Sequence, residues 1–291
     1  MNIFTDLHPP MVAGQFYPSA PSELAATLER ALSLAPADAG GRVRALLVPH
    51  AGYFFSGDTA GCAYGLLTRI SARYERVVVL APAHSVPFRT IAIGSYRAYQ
   101  TPLGEIPVDQ DICRQLADAS PLFSLRQDAH RREHALEVQL PFLQTALADT
   151  ALVPLVCGQV ESHRLQPAAQ VLADHLWHPS NLWVISSDFT HYGSAFGYLP
   201  FAEDIPENLR QLDLGAVDMI KEKNPRGFIE YLDRTEATIC GSVPISLLLF
   251  ALKTVGADNI EPKLLDYTRS GDRTGDYHHC VSYVSMSFVE P

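Results

Sequence analysis

Val43-Arg44-Ala45-Leu46-Leu47-Val48-Pro49-His50-Ala51-Gly52-Tyr53 is the stretch on which the fold turns. Its first six residues, apolar but for Arg44, form a run of the length of a buried strand. The run stops at a proline, a histidine and two small residues, so it delivers a polar group to one edge of a sheet. Residues 76–80 (RVVVL) repeat the pattern and lead into Ala81-Pro82-Ala83-His84. Residues 182–186 do so again and lead into Ser187-Asp188-Phe189-Thr190-His191. Prolines before the first two histidines restrict the backbone and hold these exits extended.

Working outward, strands are predicted at 90–94, 152–156 and 264–267, and the alternating 281–289 (VSYVSMSFV) closes the chain. Helical periodicity is predicted at 22–34, 58–70, 133–147, 165–176, 209–221 and 243–255. Pro21-Ser22-Glu23 and Gly57-Asp58 read as helix starts with acidic groups in the first turn. Strands alternating with helices predict an α/β fold, a central parallel or mixed sheet covered by helices, with the last strand as an antiparallel edge. No repeat period, low-complexity stretch or linker interrupts the chain, so residues 1–291 read as a single domain.

Composition narrows the function. The chain has 22 basic and 32 acidic side chains and a net charge of −10. Nucleic-acid and anionic-membrane binding depend on clustered cations, so neither partner is expected. The five cysteines, Cys62, Cys113, Cys157, Cys240 and Cys280, are odd in number and contain no Cys-x-x-Cys pair. A disulfide framework is therefore not expected, and a reducing compartment fits. Met1-Asn2-Ile3-Phe4-Thr5-Asp6 lacks the basic and apolar regions of a signal peptide, and the longest apolar run, 245–252, is too short to span a bilayer. These features predict a cytoplasmic protein.

In open α/β sheets, ligands bind outside the carboxyl ends of the strands. A single histidine past a strand end is ordinarily a solvated loop residue. Three in the same topological position, His50, His84 and His191, are better read as a site. Cys240 precedes a strongly apolar helix, and a cysteine at a helix N-terminus can have a lowered pKa; a buried, inert thiol is the plainer alternative. Cys62 and Cys113 fall in helical patterns and read as packing residues. His130-Arg131-Arg132-Glu133-His134 spells H-x-x-E-H, the inverted zinc-peptidase string. It sits at the start of its predicted helix, so a polar face carrying Glu133, His134 and Glu137 is favoured. His278-His279-Cys280 cannot act as one ligand set, since neighbours in a strand point to opposite faces. Phosphate-binding loops, dinucleotide fingerprints and nucleophile elbows are missing from the sequence.

Taken in order, several strings form a recognisable series. They are Met11-Val12-Ala13-Gly14-Gln15-Phe16-Tyr17-Pro18, Pro49-His50-Ala51-Gly52-Tyr53 with Ser56-Gly57, Ala81-Pro82-Ala83-His84, Thr101-Pro102-Leu103-Gly104, Glu133-His134-Ala135-Leu136-Glu137-Val138-Gln139-Leu140-Pro141-Phe142, and Ser186-Ser187-Asp188-Phe189-Thr190-His191-Tyr192. The series resembles the Memo family, whose microbial members are termed AmmeMemoRadiSam system protein B. That family is similar in fold to the class III, LigB-type extradiol dioxygenases, which hold non-haem iron with two histidines and a carboxylate.

The resemblance implies that His50 and His84 are metal ligands, with Cys240 where the dioxygenases have a glutamate. It implies that His191 is the acid/base, accompanied by Asp188. Fe2+ is the implied cofactor, and the softer thiolate brings zinc or copper into range. A thiolate is also oxidisable, so ring cleavage does not follow from the fold. A non-enzymatic scaffold is a second expectation: animal relatives are implicated in recognising phosphotyrosine peptides, and the microbial name implies radical-SAM and AMMECR-type partners. Tyr53 is the expected substrate contact, within an apolar rim of Phe54, Phe55 and Phe189. A third is thiol hydrolysis with Cys240 as nucleophile and His191 as base.

Overall fold

The computed structural model describes residue 4, residues 6–147 and residues 149–291. Its strands are β1 (Leu7–His8), β2 (Arg42–Val48), β3 (Arg76–Pro82), β4 (Ile91–Ile93), β5 (Ala98–Thr101), β6 (Gly104–Pro107), β7 (Phe123–Leu125), β8 (Ala151–Cys157), β9 (Asn181–Ser186), β10 (His191–Tyr192), β11 (Glu261–Arg269) and β12 (Cys280–Glu290). The helices are α1 (Pro21–Leu32), α2 (Tyr53–Leu67), α3 (Gln110–Ala119), α4 (Gln127–His130), α5 (His134–Glu137), α6 (Leu140–Ala146), α7 (Ser162–Leu176), α8 (Ile205–Lys221), α9 (Pro225–Thr235), α10 (Ser242–Thr254) and α11 (Gly271–Thr274).

The four strands β2, β9, β3 and β8 lie side by side in that order, all parallel. Beyond their first residues they are buried throughout. Such two-sided burial is why they read as unbroken apolar runs. Antiparallel pairing of β4 to β8 and of β12 to β2 extends the sheet at both sides and makes it mixed. A separate sheet joins β1, β5 and β6. Helices α1, α2 and α6 pack together on one face, and α7 and α10 cover the other. The whole is one mixed α/β domain.

Two helix boundaries differ from the periodicity. The helix expected at Asp58 begins at Tyr53, behind Gly52, and the Tyr53 N–H donates to the Phe16 carbonyl at 2.7 Å. Most of α2 is buried all round, so it has no polar stripe to reveal its start. A Cβ on Gly61 or Gly65 would lie 2.3 Å from the Ala31 carbonyl oxygen or 2.1 Å from that of Leu32, so only glycine lets α1 approach. The single helix expected at 133–147 is instead α5 and α6. Pro141 has no N–H for the carbonyl four residues back, and the Tyr53 hydroxyl takes the Val138 carbonyl at 2.7 Å.

All five cysteines are free thiols. Among the described residues, no helix is long and apolar enough to cross a membrane.

Candidate metal centre

Because β9 lies between β2 and β3, the three exits that follow these strands are neighbours at the carboxyl edge. The His50 N–H, leaving β2, donates to Asp188 Oδ1, leaving β9, at 2.7 Å. The His50 and His84 rings meet edge to face with centroids 5.2 Å apart. Cys240 arrives from the opposite face on the turn before α10, and its Sγ lies 3.3 Å from His50 Nε2. That turn docks tightly: the Gly241 N–H donates to Ser187 Oγ at 3.0 Å, and a Cβ at Gly241 would sit 2.3 Å from the Ser187 Cβ. One donor atom from each of His50, His84 and Cys240 falls within a mutual 4.8 Å.

Each ring is held from behind. His84 Nδ1 lies 2.8 Å from Glu133 Oε1, and Glu133 also accepts the His84 N–H at 2.6 Å. A carboxylate accepts only, so His84 carries its proton on Nδ1 and turns Nε2 outward. His50 Nδ1 lies 2.8 Å from Ser186 Oγ, which in turn meets Gln139 and Ala135. His191 Nδ1 donates to the Thr238 carbonyl at 2.9 Å, while Thr238 Oγ1 accepts the His191 N–H and donates to its carbonyl. The His84 side chain is 32% exposed and that of His50 only 2%, so the centre has a sealed floor and an open mouth.

The electrostatics favour a cation. Burial, then the nearby His84, His134 and His191 imidazoles, hold His50 well below the usual histidine range, so it is neutral. Burial and the Asp188 carboxylate push the Cys240 thiol well above its usual range. That is opposite to the lowering expected of a helix-start cysteine: Gly241 caps α10, and desolvation outweighs the helix dipole. Burial likewise raises Asp188, against the pull of His191 and the His50 N–H. Burial opposes ionisation of Glu133, but the hydrogen bond and charge of His84 bring its carboxyl below the usual range. Neutral imidazoles keep a nitrogen lone pair for a metal, whereas the Cys240 thiol must lose its proton to bind one.

Sequence reasoning placed His50, His84, Cys240, Asp188 and His191 here, and the chain brings them together. Tyr53 is elsewhere: it is buried between Tyr17 and Phe142, with its hydroxyl spent on Val138. Of the expected rim, Phe189 is fully buried and Phe54 is 67% exposed. The H-x-x-E-H string does not act as a unit. His130 is buried against Tyr99, Glu133 serves His84, and His134 stacks on His84 at 4.8 Å. His134 is an unforeseen wall of the centre, pushed down to about 4 by burial and by His84. Phe16, 4.9 Å from the His134 ring, and Phe196, 5.2 Å from the His191 ring, were also missed. Glu137 holds the segment that carries Phe16, accepting from the Met11 and Val12 N–H groups and the Tyr17 hydroxyl. A signal for Glu137 existed in the apolar Leu136 and Val138 beside it: an acidic side chain there needs donors. Clefts of about 680 and 550 Å³ lie at the far end of the strands, around Glu75 and Asp149.

A family model described as Memo-like protein matches residues 8–287. The chain is 35% identical over 261 residues to a memo-1 homolog of Caenorhabditis elegans, covering 86% of this chain and 74% of that one. It is 33% identical to a MEMO1 family protein of Thermococcus kodakarensis, covering 96% and 98%. With protein MEMO1 of Danio rerio it shares 31%, covering 95% of both. Among solved structures, an uncharacterized protein from Escherichia coli K12 matches with a TM-score of 0.55 at 15% identity, over 84% of this chain and 99% of that one. That likeness is one of fold.

Proposed function

The chain belongs to the Memo family, and from that premise we propose that it holds one transition-metal ion on His50, His84 and Cys240 and handles redox or oxygen chemistry there. The observation that carries this reading is the convergence of two imidazoles and a thiol within 4.8 Å at the open edge of the sheet. The resemblance to the iron-holding dioxygenases puts iron first, and the sulfur brings in zinc and copper as alternatives. A bound metal of this class would supply Lewis acidity or an electron, in the manner of the LigB-type dioxygenases.

The protein's own groups do the rest. His191, fixed through Nδ1 by Thr238, has Nε2 free to give or take a proton. Asp188 orders the His50 backbone and is kept from easy ionisation by burial, so it can hold a proton beside the thiol. His134 with Phe16, and Phe196 beside His191, line the mouth with aromatic rings.

Metal analysis after anaerobic purification tests the reading. Stoichiometric metal is expected in the wild type and none in the His50→Ala/His84→Ala double variant. Retention of metal by that variant would remove these residues as ligands. Oxygen uptake by the loaded protein, lost in His191→Ala with metal content intact, tests the chemistry.

A second reading uses the mouth for recognition, with a radical-SAM protein and an AMMECR-type protein as partners, or a peptide. The exposed Phe196 beside His191 favours it, and Phe54 offers a second exposed ring on α2. Unchanged partner affinity in Phe54→Ser and Phe196→Ser proteins would place recognition elsewhere. Thiol hydrolysis has less support, since Cys240 Sγ faces His50 and its proton is firmly held.

A further inference from the structure

We infer that Ser186, held in place by Gln139, is a positioning residue that fixes the His50 proton on Nδ1 and leaves the Nε2 lone pair facing Cys240. The inference follows from counting donors along one buried chain of polar groups. Gln139 comes first. Its Nε2 lies 3.0 Å from the Pro49 carbonyl, and its Oε1 accepts the Tyr64 hydroxyl at 3.0 Å. A backbone carbonyl accepts only, so the amide orientation is settled, and the second Nε2 hydrogen points at Ser186 Oγ, 2.9 Å away.

Ser186 has one hydroxyl hydrogen. It must go to the Ala135 carbonyl at 2.7 Å, because that partner also only accepts. The serine oxygen then has two lone pairs, one filled by Gln139 and the other facing His50 Nδ1 at 2.8 Å. His50 has no choice but to donate there. Ser186, Gln139 and His50 are all buried, so water does not offer a substitute partner. The opposite tautomer would set Nδ1 against a serine oxygen with no hydrogen to give, and would turn an N–H toward the Cys240 sulfur.

The importance of this device for ligand binding rests on the metal reading above, but the tautomer does not, and the two can be tested apart. Long-range nitrogen–proton spectra of the chelator-treated, full-length protein near neutral pH report which His50 nitrogen is protonated. The expected wild-type result is a protonated Nδ1 and a bare Nε2. In Ser186→Ala the proton is expected to move, wholly or in part, to Nε2, and Ser186→Thr, which keeps the hydroxyl, should restore the wild-type pattern. Zinc titration of the same proteins should show affinity lowered about 10–100-fold in Ser186→Ala and recovered in Ser186→Thr. A wild-type His50 protonated on Nε2, or a Ser186→Ala protein still protonated on Nδ1, would overturn the inference. A wild-type protein with the expected tautomer that takes up no zinc, iron or copper would overturn the metal reading and leave this one standing.

Discussion

Two histidine clusters meet at one short stretch of this chain, and H-x-x-E-H contributes one histidine to each. His130 belongs to a closed box. Its Nε2 donates to the Ala92 carbonyl at 3.0 Å, its Nδ1 accepts the Tyr99 hydroxyl at 2.8 Å, and its carbonyl accepts His8 Nε2 at 2.9 Å. His8 stacks on Tyr99 at 4.7 Å and meets Tyr96 edge-on. His134 belongs to the open centre with His50, His84 and His191. Burial keeps a member of each cluster neutral, His130 at about 4 and His50 well below its usual range. Neutrality therefore does not mark a ligand. What separates His130 from His84 and His191 is where the second nitrogen points: His130 spends both on the protein, whereas His84 and His191 each spend one.

Exchanging the roles of the clusters is the strongest way to break this comparison. The His50→Ala/His84→Ala double variant is expected to lose its metal outright, while His130→Gln should remain stoichiometrically loaded by elemental analysis. Cys240→Ser comes next. Competition titrations should show zinc and Cu(I) weakened by more than the ~10–100-fold typical of an outer partner, with preference moving toward harder ions. Glu133→Gln removes the charge behind His84 and should cost about 10–100-fold in affinity, with the fold melting normally. His130→Gln should cost about 1–3 kcal/mol of stability in urea unfolding, because it leaves buried groups short of partners.

The smallest effect is in pH. The His130 pKa is lowered in the folded state to about 4, so the unfolded chain binds its proton first as pH falls. Stability from this group is present above about 6.5 and is lost as pH drops toward 4. His130→Gln should flatten that limb by up to ~1.4 kcal/mol per pH unit. An unchanged slope in the variant would mean that the box opens to solvent.

Much of the centre was legible because the topology of an α/β sheet does part of the work. An apolar run that ends in a polar residue declares both its strand and its edge, which is why His50, His84 and His191 could be read together, while Asp188 came with the resemblance. Cys240 had no such declaration: it comes from a turn on the opposite face, and only resemblance located it. Tyr53 misled because the residue after Gly52 reads as loop, whereas it opens a helix and faces the core. The four-residue strands β5 and β6 left little trace, since so few residues carry no measurable period, whereas the helical period of α3 and α9, 10 and 11 residues long, went unread. Glu133 and Ser186 were hidden for a different reason. Their role is to fill a hydrogen-bond valence, and a valence has no spacing in sequence.

The insertion of β9 between β2 and β3 has a consequence for how the molecule is made. Both backbone neighbours of β2, β9 at Asn181–Ser186 and β12 at Cys280–Glu290, are synthesised long after it. Until β9 emerges, no ladder joins the strand that carries His50 to the strand that carries His84. From the emergence of His84 to that of β9, about a third of the chain's synthesis, the two histidines stay unlinked, and Cys240 follows later still. Pairings over such separations form slowly. In the proposed function, metal capture belongs to the end of folding, because the strand and the thiol that complete the centre arrive last.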